Sequence, residues 1–200
     1  MTRWYSEKKR EHFYKQAKKA GYRARSAYKL KQIQKKFNIL KQGNTVIDLG
    51  AAPGGWSQVA KEIVGEKGTI IGIDLSSIKP IPGITFLQGD MTDQSSIQEI
   101  ENLLCEKKAD AIISDMSPDI SGNYSIDQAR SIYLCEQALK TAEQILKPGG
   151  NFVCKAFTGE DLENFVKTIN EKFNSVKRYN PTASRKSSSE EYIIAKNHKF

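Results

Sequence analysis

The chain has 200 residues, a formal net charge of +8 and 38% hydrophobic residues, enough for one domain whose core stands without cross-links. No apolar run reaches the length of a membrane span, and the N-terminus is basic and aromatic, unlike a secretory signal, so a cytoplasmic protein is expected. Cys105, Cys135 and Cys154 lie far apart with no C-x-x-C pair, which reads as buried small hydrophobes and not as a disulfide frame or metal site.

The charge is unevenly placed. Residues 1–41 hold fourteen Lys or Arg against Glu7 and Glu11, a net of +12, while residues 42–200 hold seventeen against twenty-one acids, a net of −4. This divides the chain into a basic N-terminal arm with a helix (1–41) and a catalytic domain (42–200). The arm interleaves Trp4, Tyr5, Phe13, Tyr14, Tyr22 and Tyr28 with its cations. Cations that release counterions from phosphates, beside rings that stack on unpaired bases, point to RNA. Electrostatics alone leaves an anionic membrane surface open. His12 and His198, near the two ends, read as solvated.

Ser26 is placed to cap a helix whose apolar positions Ala27, Leu30, Ile33 and Phe37 follow helical spacing. Thr45-Val46-Ile47 then opens a strand running into Asp48-Leu49-Gly50-Ala51-Ala52-Pro53-Gly54-Gly55-Trp56. This is a strand, a glycine-rich turn and a helix opened by a proline, a cradle for a nucleotide cofactor. Strands are predicted near 45–50, 69–74, 84–88, 110–115 and 151–157, and helices near 53–64, 94–107, 127–146 and 160–172. Two last strands, near 174–179 and 191–196, have no helix between them and should pair antiparallel. The sum is an α/β fold with a seven-stranded, mostly parallel sheet, one antiparallel strand and helices on both faces. Residues 181–189, polar and basic, read equally as a substrate loop or a flexible hairpin tip.

The turn spacing is G-x-x-x-G-G, unlike the dinucleotide fingerprint, and carboxylates end the strands at Asp48, Asp74, Asp90 and Asp115. An acidic rim repels pyrophosphate and disfavours a nicotinamide oxidoreductase. It suits S-adenosylmethionine, with its sulfonium, ammonium, ribose diol and adenine amine. Asp74 is expected on the ribose hydroxyls, Asp90 on the adenine amine and Trp56 close by. Lys155 interrupts the apolar run Phe152-Val153-Cys154-Lys155-Ala156-Phe157, so it needs a partner or must shed its proton. Asp115 ends a neighbouring strand, Lys29 lies in a first helical turn where the dipole disfavours it, and Glu190 or Glu191 starts the last strand. A Lys–Asp–Lys–Glu cluster around one crevice is the expectation.

On Asp48 to Gln58, Phe86 to Asp90, Ser114-Asp115-Met116, Ser121-Gly122, Pro148-Gly149-Gly150 and Val153 to Phe157, the chain resembles the FtsJ/RrmJ family of S-adenosylmethionine-dependent RNA 2′-O-ribose methyltransferases. The resemblance runs from Arg25 to Ala195 and implies a Rossmann-like class I methyltransferase fold. It implies Lys29, Asp115, Lys155 and Glu190 as the catalytic set, with Lys155 as proton acceptor. Cofactor contacts are implied at Gly54, Trp56, Asp74, Asp90 and Asp115, with no metal. Glu191 duplicates the acid, and Glu190 is preferred because it stands two before Tyr192. Ser117 replaces the commoner alanine of the Ser-Asp-Met motif. The implied substrate is the ribose of a uridine in large-subunit ribosomal RNA, with DNA and membrane excluded and a monomer expected. Anticodon-loop tRNA methylation is the alternative, and a non-catalytic ribosome-assembly factor a more distant one. Base methylation fits less well: Cys154 faces away from Lys155, and no Asp/Asn-Pro-Pro-aromatic motif is present.

Overall fold

The computed structural model describes residues 13–184 and 189–200, so Trp4, Tyr5, His12 and residues 185–188 of the late loop lie outside the described residues. After a helical stretch over 13–19, the order is α1 (Ala27–Phe37), β1 (Thr45–Leu49), α2 (Gly55–Val64), β2 (Thr69–Asp74), β3 (Thr85–Gln88), α3 (Gln94–Leu104) and β4 (Ala109–Ser114). It continues with α4 (Tyr124–Ile145), β5 (Leu146–Phe157), α5 (Glu160–Lys172), β6 (Phe173–Tyr179) and β7 (Glu190–His198). The strands form one seven-stranded sheet in the order β3-β2-β1-β4-β5-β7-β6. Only β7 runs against its neighbours, pairing antiparallel with β5 and β6. The strand order reverses between β1 and β4, and in such sheets ligands bind at the carboxyl ends beside that switch point.

The core fills both faces of the sheet. Apolar residues of α3, α4 and α5 cover one face, and those of α1 and α2 cover the other. The 3.6-residue spacing predicted for α1 places Leu30 and Ile33 fully inside, against Val46, Ile113 and Val153. Each such side chain contributes about 1.5–3 kcal/mol by leaving water. The change in charge at residue 41 is therefore not a break in packing. The expectation for the arm's rings is corrected. Tyr22 is buried, meets Tyr28 edge-on at 5.8 Å and donates its hydroxyl to Glu62 at 2.6 Å. Phe13 packs on Tyr28 at 5.6 Å. Among the described arm residues, Tyr14 is the aromatic left exposed.

Several local expectations change. Ser26 precedes α1 in a helical backbone conformation and makes no side-chain capping bond; its carbonyl accepts from the Trp56 indole at 2.9 Å. Pro53 does not open a helix: the Ala52–Pro53 bond is cis, and α2 starts at Gly55, after Gly54 turns the chain at φ 108°. α4 starts at Tyr124, earlier than expected, because the Asn123 side chain accepts from the N–H groups of Ser125 and Ile126. His198 is buried against Phe173 with ring centroids 5.0 Å apart, and burial lowers its pKa, so it is not a solvated end residue. Cys135 and Cys154 are buried as expected, whereas Cys105 is exposed because it follows the end of α3. Among the described residues, no helix is long and apolar enough to cross a membrane.

Candidate active site

A cavity of about 600 Å³ opens at the carboxyl ends of β1, β2, β3 and β4. Asp74, Asp90 and Asp115 lie in its wall, with Met91, Met116 and Tyr133 as its apolar part. Parallel strands ending in register bring these three acids, distant in sequence, to one rim. Main-chain N–H groups hold two of them. Asp74 accepts from Ala52 at 3.0 Å and from Ser76 at 2.8 Å, and Asp90 accepts from the Thr92 amide and hydroxyl, both at 2.8 Å. Gly50 also lines the cavity at φ 70°, and a Cβ there would lie 2.2 Å from Met116 Cγ, so no larger residue fits.

Asp48 is not part of that rim, which corrects the fourth acid of the expected set. It is 1% exposed beneath the turn, where Oδ2 accepts from the Ser57 hydroxyl at 2.6 Å and Oδ1 has no hydrogen-bond partner. Burial, outweighing the Ser57 hydrogen bond, pushes its carboxyl up to about 7. Gly54 and Trp56 are also absent from the cavity wall. Gly54 packs under Ile81 and Arg23, and the Trp56 ring turns into the core to stack on Tyr192 with centroids 5.7 Å apart. What Trp56 presents toward the turn is its amide, in the first turn of α2, where N–H groups have no acceptor within the helix.

Beside this cavity, the four residues expected to do chemistry come together. Lys155 Nζ lies 3.1 Å from Asp115 Oδ1 and donates to the Asp115 carbonyl at 2.6 Å. Lys29 Nζ lies 2.9 Å from Glu190 Oε2 and 3.9 Å from Asp115 Oδ1. Both lysines are nearly inaccessible, at 4% for Lys29 and 6% for Lys155. Burial opposes ionisation of Glu190, but the Lys29 and Lys155 ammonium groups and the hydrogen bond from Lys29 outweigh it and hold this carboxyl below its ordinary value. Strand alternation separates the two candidate acids. Lys155 stands opposite Tyr192, so Glu190 and Tyr192 share its side of the sheet. Glu191 points to the other side and pairs with Arg178 at 2.9 Å.

A sequence model of the FtsJ-like methyltransferases matches residues 22–198. The chain belongs to that family. It is 48% identical over 198 residues to the Ribosomal RNA large subunit methyltransferase E of Methanocaldococcus jannaschii, covering 97% of this chain and 81% of that relative. Against the protein of the same description from Halorubrum lacusprofundi it is 47% identical over 189 residues, covering 94% of this chain and 70% of the other. In structure it is similar to a crystal structure described as a ribosomal RNA methyltransferase of Plasmodium falciparum, with TM-score 0.81 and 31% identity over 88% of this chain and 98% of that one. Fibrillarin of Aeropyrum pernix, in complex with S-adenosyl-L-methionine, shares the fold with TM-score 0.57 and 16% identity, over 85% of this chain and 76% of that one.

One member of this FtsJ-like site is missed by reading the sequence. Tyr192 is fully buried, donates its hydroxyl to Asp115 Oδ1 at 2.5 Å and lies under Lys29 Nζ, 5.5 Å from the ring centroid. Burial, with the Asp115 charge and hydrogen bond, holds its phenol well above the usual range, so it stays a donor. In sequence it is an aromatic in an apolar strand, which reads as core. The available signal was its register opposite Lys155.

Proposed function

We propose that this FtsJ-like protein transfers a methyl group from S-adenosylmethionine to a ribose 2′-hydroxyl of large-subunit ribosomal RNA. The observation that carries the reading is the Lys155 amine, held at 3.1 Å from Asp115 where the acidic cavity meets the Lys29–Glu190 pair. A protein that only binds RNA has no use for two buried lysines and two carboxylates at the mouth of a cofactor cavity.

The cavity fits the cofactor by its chemistry. It offers Asp74 to a ribose diol, Asp90 to an adenine amine and Asp115 to the cationic end, with Met91, Met116 and Tyr133 as apolar cover. Gly54 shapes the turn, and Trp56 contributes its amide, suited to the carboxylate of the methionine portion. When bound, S-adenosylmethionine supplies an electrophilic methyl group. The chain must then align a hydroxyl with that methyl group and remove its proton. Lys155 is the group placed to accept the proton. Asp115 and the Asp115 carbonyl fix the position of Nζ, and Tyr192 fixes Asp115. Lys29 and Glu190, held by each other, orient the ribose.

Archaeal relatives named for large-subunit ribosomal RNA support rRNA over tRNA as substrate. The test is transfer of labelled methyl to deproteinised rRNA, to assembled large subunits and to tRNA, followed by mapping of the product. A single alkali-resistant 2′-O-methylated linkage in large-subunit rRNA is expected. A methylated base, or label in tRNA alone, would refute the assignment.

A further inference from the structure

The site above accounts for the target ribose but not for how the rest of a large RNA is held. Residues 42–200 are acidic overall, with twenty-one carboxylates against seventeen cations, so they do not attract RNA by bulk charge. One surface, where these residues meet the end of α1, runs against that balance. A groove of about 490 Å³ lies between the C-terminal end of α1 and the β6–β7 edge, lined by Lys36, Lys177, Arg178 and Lys196 with Phe37 and Ile194 at its base. Among the described residues, no carboxylate lines it.

These cations are not equally committed. Arg178 is already neutralised by Glu163 at 2.6 Å and Glu191 at 2.9 Å. Lys196 donates to the Phe37 carbonyl at 2.9 Å, so it satisfies a helix-end acceptor while keeping its charge. Lys177 is exposed and joins no ion pair among the described residues. Lys36 lies over the Tyr179 ring at 4.4 Å and the Phe37 ring at 5.5 Å, and these two rings meet edge-on at 5.4 Å. Two exposed ammonium groups, with the half-buried Lys196 beside them, thus stand over a half-exposed aromatic floor, which is the composition of a single-strand nucleic-acid track.

The groove also has the right direction. Lys29 and Lys36 both belong to α1 and are seven residues apart, so they share one face, separated by about 10 Å. On the sheet, Tyr192 and Lys196 lie four residues apart on the same side of β7, about 13 Å along the strand. Both elements that carry the catalytic cluster therefore continue, on the same side, into the groove. We infer that this groove is a second RNA-docking surface, holding the phosphate backbone of the nucleotides that flank the methylated ribose. The inference rests on the rRNA-methylation reading for what the strand is, and on the groove alone for where it runs.

The test compares the wild type with Lys36→Gln/Lys177→Gln, and with Lys36→Arg/Lys177→Arg as a charge-retaining control, using large-subunit rRNA as the probe. For the Gln pair, KM for RNA should rise about tenfold near physiological salt, and the slope of log affinity against log salt should flatten by between about 1 and 2. The kcat at saturating RNA and the affinity for S-adenosylmethionine should stay unchanged, and the Arg pair should behave as wild type. Unchanged KM and salt slope would overturn the docking surface. So would an equal loss in the Arg pair, which would mark a folding defect, or lost binding to anionic lipid vesicles with RNA affinity intact. Direct RNA-binding measurements keep the two readings apart. If the wild type binds rRNA but methylates nothing, the reaction is wrong; if only the Gln pair loses RNA, the groove stands whatever the reaction.

Discussion

The two halves of the crevice handle their charges in opposite ways. On the cofactor half, Asp74 is tied to main-chain N–H groups of the turns after β1 and β2, and Asp90 to that of the turn after β3. On the reaction half, Lys29, Asp115, Lys155 and Glu190 satisfy mainly one another, with the lysines buried, the acids half-buried and Tyr192 as the neutral fifth member. A carboxylate held by backbone can be removed with little effect beyond the contact it makes to a ligand. A charge held by other buried charges cannot, because its removal leaves a partner uncompensated. The cofactor half should therefore be modular and the reaction half cooperative.

The largest expected effect is at Lys155. Lys155→Ala removes the proton acceptor, and general-base loss is worth roughly 10²–10⁴-fold in rate. Methyl transfer should fall by about that factor, while calorimetric titration still shows S-adenosylmethionine binding. A variant with more than a tenth of wild-type turnover would end the case for Lys155 as base. Next in size is the contrast between the two adjacent acids. Glu190→Gln should lower turnover at least tenfold, because it frees Lys29, whereas Glu191→Gln should alter only the exposed Arg178 pair and leave turnover within about twofold. Equal losses in the two would contradict the strand alternation that separates them.

The Glu190 contrast extends to pH. Its carboxyl is held below the ordinary value of 4.5, so it contributes stability that is fully present above 4.5 and is lost as pH falls through the lowered native value. Wild-type unfolding free energy should therefore fall more steeply with acidification below about pH 4.5 than that of Glu190→Gln. Parallel acid limbs would show that the Lys29 pair adds nothing to folding.

How much of this was legible in sequence follows from what each residue must do. Acids at strand ends are readable, because β-branched runs locate the strands and the chain direction locates their ends; Asp74, Asp90 and Asp115 reach the cavity as expected. Lys155 was readable because a lysine inside an apolar strand needs a partner or must shed its proton, and Asp115 stands 3.1 Å from it. The same reasoning failed for Asp48, whose position at the end of β1 gives no sign that the turn folds over it. It failed again for the aromatics. A ring between lysines looks identical whether it stacks on a base or on a neighbouring helix, and Tyr22 and Phe13 do the latter. The charge boundary at residue 41 says nothing about packing for a similar reason: exposed lysines dominate the count, while packing of α1 is decided by Ala27, Leu30 and Ile33 on its other face.

On the cofactor half, Asp74→Asn should weaken S-adenosylmethionine binding about tenfold, the value of one charge-assisted hydrogen bond. With the cofactor saturating, kcat should be nearly unchanged. A loss in kcat that saturation does not rescue would show that the two halves are coupled after all, and would remove the modularity argued above.

Asp48 gives the finest test, because it belongs to neither half and lies beneath both. Its carboxyl is raised from 3.8 to about 7 by burial, with the charges of Asp115 and Asp74 adding to the rise. A raised acid favours the native state in its protonated form. Stability from this group is therefore complete below pH 3.8 and declines as pH rises, because the unfolded chain ionises first; the decline ends near pH 7, where the native carboxyl ionises too. Asp48→Asn keeps the shape and a partner for Ser57 but cannot ionise. Between pH 4 and 7 its unfolding free energy should lack the downward slope of the wild type, leaving it more stable by a few kcal/mol at pH 7. If both proteins show the same slope, Asp48 is ionised in the native state throughout. In that case the turn over β1 must supply Oδ1 with a proton donor, and the cofactor cradle would rest on a buried charge after all.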